Sequence, residues 1–154
     1  MKFDKIIFQY SPFCVATIPI PHVSREDGGH IVIASMNPDY HELEDLSYDE
    51  LSLLMRLTVE TGKIMKKTLL GNGVDIGNLN YQVNGNWSVK KEVRDPLHMH
   101  IYGRARNAVY QKFGSSLVFP DPASGFYDNF KGLTDVDIKP IALHLEGCSL
   151  NGLF

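Results

Sequence analysis

The chain is predicted to form an α+β fold, an antiparallel sheet of about five strands with two helices. Three observations lead there. Short runs rich in β-formers are bounded by Gly, Pro and Asn turns. One long segment carries apolar residues at helical spacing behind a capping signal. The strands are grouped around that helix rather than alternating strictly with helices, which favours antiparallel pairing.

Ile6–Phe8 and Phe13–Ile20 read as strands broken by Ser11-Pro12, with Pro19 and Pro21 ending the second. Ser24–Gly29 is a loop turning at Gly28-Gly29, and His30–Ser35 is a short buried strand closed by Asn37-Pro38-Asp39. The helix is expected from about Tyr48 to Leu70. Ser47 is its N-cap, Glu50 completes the capping box and Gly71 stops it. Leu51, Leu54, Met55 and Thr58, then Thr61, Ile64, Met65 and Leu69, follow helical spacing. Val74–Asn84 is a strand ending at a Gly85-Asn86 turn, and Leu97–Tyr102 is another. The stretch 105–133 lacks periodicity and reads as an irregular, solvated surface segment, although Arg104, Arg106, Gln111 and Lys112 would also suit phosphate contacts or a lid. A final helix is expected from Thr134 to about Leu145, with Gly147 after it.

The 154 residues suit a single domain with a substantial core. A net charge of −3 gives no general attraction to nucleic acid or anionic membrane, so an anionic ligand would need a local site. The sequence has no apolar run of membrane-spanning length and no signal-peptide pattern. Cys14 and Cys148 show no metal-type spacing. A cytoplasmic protein with free thiols is the default expectation, and a disulfide between the two stays open.

The chemistry concentrates in Pro96-Leu97-His98-Met99-His100-Ile101-Tyr102-Gly103-Arg104. On a strand His98 and His100 project from one face, while Leu97, Met99 and Ile101 hold the other face down. His30, on an earlier strand after Gly28-Gly29, is a further candidate. His41 is assigned to the turn into the helix, His144 to the surface or a dimer contact, and Cys14 to the core.

In order along the chain, these elements resemble the histidine triad (HIT) family. Gly29-His30-Ile31-Val32-Ile33 with His41 and the capped helix is similar to the family's GHxxVxP…H segment. Val83-Asn84-Gly85 resembles its VNxG-type turn, and His98–Arg104 resembles the end of its H-φ-H-φ-H-φ-φ motif. The match covers roughly 13–104 and leaves 105–154 as a C-terminal extension. In the favoured register His98 is the middle histidine, His100 the last, and Pro96 replaces the first; in the other register Tyr102 stands last. Where the family commonly has an acidic residue for the ribose hydroxyls, eight positions before His30, this chain has His22.

The resemblance implies a nucleotide hydrolase or nucleotidyl transferase. His98 would attack the α-phosphorus to give a covalent nucleotidyl-histidine, His100 would donate to a phosphate oxygen, and His30 would support them. Asn84, Ser88 and His22 would contact the substrate. Phe13, Val15, Ile18 and Ile20 are either core or one wall of a base pocket. Loss of a proton donor at Pro96 favours dinucleoside polyphosphates over phosphoramidates, because phosphate leaving groups need less protonation. The route needs no metal and no cofactor, and a homodimer with joined sheets is implied. Two other readings remain: a non-catalytic nucleotide-binding protein on the same fold, and a metal centre built from His98, His100 and His30.

Overall fold

The computed structural model describes residues 2–85 and 92–148. Seven main elements follow in order: β1 (Lys5–Tyr10), β2 (Phe13–Thr17), β3 (His30–Ser35), α1 (Tyr48–Gly71), β4 (Ile76–Gln82), β5 (His98–Ala105) and α2 (Asp135–Gly147). Short 3-10 turns occupy Arg25–Asp27, Leu43–Asp45 and Pro122–Ser124. The five strands make one sheet in the order β1-β2-β3-β5-β4, and every neighbouring pair is antiparallel. This is the expected α+β architecture.

Several boundaries differ from the sequence reading. β2 ends at Thr17 rather than Ile20, since Pro19 and Pro21 have no N–H for a ladder. β5 runs on to Ala105, because Gly103, Arg104 and Ala105 find partners in Leu79, Asn78 and Ile76 of β4. Both helices begin with a reciprocal capping box, Ser47 with Glu50 and Thr134 with Asp137. Such a cap is worth about 1 kcal/mol.

Pro140 sits inside α2 and cannot bond the carbonyl of Val136. That carbonyl instead accepts from the Asn72 side-chain amide at 3.2 Å, which also donates to Asp137 at 2.9 Å. Arg25 adds two bonds to the buried Asp137, at 2.7 and 2.9 Å. Burial pushes the Asp137 carboxyl up, but Arg25, Thr134 and Asn72 outweigh it and hold the pKa at about 2. The end of α1, the start of α2 and the Arg25 turn are thereby joined.

One face of the sheet carries Phe13 and Val15 of β2, Ile31 and Ile33 of β3, and Met99 and Ile101 of β5. They pack with Leu54, Leu57, Met65 and Leu69 of α1 and Ile138, Ile141 and Leu145 of α2. The other face bears the polar row described below. Among the described residues, no helix is long and apolar enough to cross a membrane.

The loop before β3 lies directly against β5. Gly28 has φ 125°, and a Cβ on Gly28 or on Gly103 would collide with the other's backbone. Only glycine permits this approach, and the Gly103 N–H donates to the Gly29 carbonyl at 3.0 Å.

The segment 105–133 is not the freely solvated stretch expected. Asp27 is buried, and its carboxylate accepts the backbone N–H groups of Val109, Tyr110 and Gln111, each at 2.7 Å. The buried Gln111 side chain donates to the carbonyls of His22 (3.0 Å) and Val118 (2.8 Å) and accepts the Val118 N–H. Arg104 donates to the carbonyls of Lys112 and Ser115. The segment is held by polar staples, so hydrophobic periodicity does not report its order.

Candidate functional site

Strand alternation and register build the site. His98, His100 and Tyr102 share the β5 face turned away from the helices. His30 of β3 lies opposite Tyr102. On the other side, Asn80 and Gln82 of β4 oppose Tyr102 and His100. Imidazoles therefore run down the middle of the face, with a row of amides along one flank. His22, arriving from the chain after β2, stacks on His30 with ring centroids 5.0 Å apart.

A chain of hydrogen bonds fixes the tautomers. The backbone N–H of His22 donates to His30 Nδ1 at 3.1 Å. His30 must then carry its proton on Nε2, which donates to His100 Nδ1 at 2.9 Å. His100 in turn carries its proton on Nε2. That atom is buried and has no hydrogen-bond partner among the described residues. An unmet buried donor costs roughly 1–3 kcal/mol, so this N–H is a position made for an acceptor.

His98 has the opposite polarity. Its Nδ1 donates to the Pro96 carbonyl at 2.8 Å, which leaves the lone pair on Nε2. Proline at position 96 keeps this carbonyl although it has no side-chain donor. One strand thus presents a lone pair at His98 and, two residues on, an N–H at His100.

Burial keeps the cluster uncharged. Desolvation, reinforced by neighbouring imidazoles, lowers His22 to about 4 and His100 to about 2, and it holds His30 well below the ordinary histidine value. Burial also pushes the Tyr102 hydroxyl up. That hydroxyl lies 3.0 Å from His22 Nδ1.

The three imidazoles whose nitrogens gather most closely are His22, His30 and His100, rather than the His98–His100–His30 set considered from sequence. Their hydrogen bonding works against a metal. For His30 Nε2 to ligate, its proton would have to move to Nδ1, where it would face the His22 backbone N–H at 3.1 Å.

Beside His22 opens a cavity of about 340 Å³, lined by Ile20, His22, Phe119, Pro120, Asp121, Pro122 and Tyr127. The Phe119 ring lies edge-on to His22 at 5.6 Å, and Tyr127 is 5.8 Å from it. Ile20 belongs to this wall, whereas Phe13 and Val15 are core. Asn84 follows β4, and its buried side-chain amide is directed at the Tyr102 hydroxyl without closing a well-formed hydrogen bond. Ser88 lies outside the described residues. His41 bonds Asp45 and the Asp95 carbonyl at the entry to α1.

Sequence reading missed Phe119, Tyr127, Gln82 and Asn80. The amides of β4 were findable, since alternation from Asn84 places Gln82 and Asn80 on the same face. Phe119 and Tyr127 carry no local signal, because their place depends on the staples at Asp27 and Gln111.

No family model matches the chain, and no curated protein matches it. Among solved structures, it is similar to a hypothetical histidine triad nucleotide-binding protein from Sulfolobus tokodaii strain 7. The TM-score is 0.55 at 14% identity, over 92% of this chain and 83% of that one. The chain has a HIT-like α+β fold, with a five-stranded antiparallel sheet and two helices. At this identity the likeness defines the fold, and the site has to be argued from its own residues.

Proposed function

We propose that this protein binds a nucleotide on the imidazole face and cleaves it at the α-phosphorus. His98 Nε2 attacks phosphorus, the bond to the leaving phosphate breaks, and a nucleotidyl-histidine forms. Water then attacks the same phosphorus and releases the imidazole and a mononucleotide. The His100 Nε2–H donates to a non-bridging oxygen as charge grows there. His30 is a positioning residue that holds the His100 tautomer. The base takes the cavity at Ile20, Phe119 and Tyr127, and Asn84 reaches the phosphate or sugar.

The observation that carries this reading is the pair of opposite tautomers on β5, an acceptor-type Nε2 at His98 and, at His100, an Nε2 donor that is unmet among the described residues. The likeness to a histidine triad nucleotide-binding protein supports the ligand class. His22 supplies no carboxylate for ribose hydroxyls, so any contact to them from this position runs through a neutral imidazole. Pro96 supplies no proton to a leaving group, so dinucleoside polyphosphates are preferred to phosphoramidates. The same feature favours one alternative, a protein that binds nucleotide without cleaving it.

Incubation with diadenosine tetraphosphate, with and without EDTA, separates these readings. Release of AMP is expected to survive EDTA and to fall at least ~10³-fold in His98→Ala, as loss of a nucleophile requires. Binding without AMP release would select the non-catalytic alternative. EDTA-sensitive release would overturn the histidine route.

A further inference from the structure

Outside the imidazole face, a second cluster of ligand-type side chains lies where α1 meets the end of α2. His144 and Cys148 are four residues apart and lie on one side of the α2 terminus. Both point to Glu60 of α1. His144 Nε2 is 3.2 Å from Glu60 Oε2, and Cys148 Sγ is 3.9 Å from the same oxygen. The three ligand atoms all lie within 4.8 Å of one another. Lys63 Nζ holds the other Glu60 oxygen, Oε1, at 2.7 Å and so orients the carboxylate.

We infer that Glu60, His144 and Cys148 form a binding site for a thiophilic divalent cation of the Zn²⁺ type. With usual zinc bond lengths, tetrahedral edges are about 3.4 Å for N···O and about 3.6 Å for S···O. The two separations to Glu60 lie close to those edges, and the imidazole nitrogen and the sulfur, within 4.8 Å of each other, would have to sit about 3.6 Å apart. At present one carboxylate oxygen faces both the imidazole and the thiol. A cation would take the place of the protons between them. One thiolate, one carboxylate and one neutral imidazole balance a dication, and this mixed soft and borderline set selects Zn²⁺ over Mg²⁺ or Ca²⁺. The fourth position is left for water. His144 is about a third exposed and Glu60 somewhat less, so the cation has a path from solvent. Tying Glu60 to His144 and Cys148 would clamp α1 to α2, away from the imidazole face.

The test is titration of the reduced full-length protein with Co²⁺, followed by displacement with Zn²⁺. A thiolate-to-cobalt charge-transfer band is expected, saturating at one equivalent and bleached by Zn²⁺. Cys148→Ser should abolish the band, whereas Cys14→Ser should keep it, because Cys14 is buried in β2. Losing a direct ligand costs at least the ~10-fold seen for outer partners, so Glu60→Gln and His144→Ala should each weaken Co²⁺ at least that much. Circular dichroism checks that each variant is folded. Absence of a band, or a band indifferent to both Glu60→Gln and His144→Ala, would overturn the site. The readout needs no nucleotide, so its failure is distinct from failure of the hydrolase reading.

Discussion

Mild acid should destabilise this protein through its imidazole cluster. His22, His30 and His100 are all held below the ordinary histidine pKa, chiefly by desolvation. The unfolded chain therefore binds protons that the folded chain refuses once pH drops through about 6.5. Their effect is absent above that value. It grows as pH falls, until about 4 for His22 and about 2 for His100. Between pH 7.5 and 5.5 each histidine kept neutral costs about 1.4 kcal/mol, so three cost about 4 kcal/mol. That is a large share of a typical stability of about 5–15 kcal/mol. Urea denaturation at the two pH values measures the loss. His22→Leu should reduce it to about 3 kcal/mol, since one proton site disappears. Imidazole NMR shifts should show His100 neutral at pH 5.5. Equal stability at the two pH values, or a His100 titration near 6.5, would refute the assignment of these rings as buried and neutral.

Two further perturbations test the frame around the site. Asp27→Ala strands three backbone N–H groups, of which the Gln111 donor is buried while those of Val109 and Tyr110 can reach water. The expected loss is about 2–4 kcal/mol in urea titrations, with faster proteolysis within 105–133. Gly103→Ala drives a methyl into the Gly28 backbone and should cost about 1–3 kcal/mol in thermal or urea melts, an effect absent if the loop before β3 can back away.

Much of the fold was legible because it rests on local rules. The Ser47 capping box, the apolar spacing of α1 and the alternation of β5 each depend on neighbours in sequence. His98, His100 and His30 were legible for the same reason, since period two and a paired strand bring them together. The tautomers were not legible. They depend on a backbone N–H at His22 meeting a ring from β3, a contact that no periodicity encodes. The order in 105–133 was missed because it comes from Asp27, Gln111 and Arg104, polar residues that by composition suggest solvent. In the sequence Asp27 is one acid in an Arg-Glu-Asp turn. In the fold it is the post to which the segment after β5 is tied.

That tie separates two kinds of variation. Spacing among the imidazoles is set by the ladder between β3 and β5, where a single-residue slip would turn every ring to the wrong side. The wall formed by Phe119, Pro120, Pro122 and Tyr127 hangs from hydrogen bonds at 109–111 and 118, made by side chains that take no part in that ladder. Descendants of this chain could therefore exchange the wall residues, and with them the shape of the cavity, while the imidazole row kept its spacing. Under the proposed function, selectivity can drift here at a different rate from chemistry.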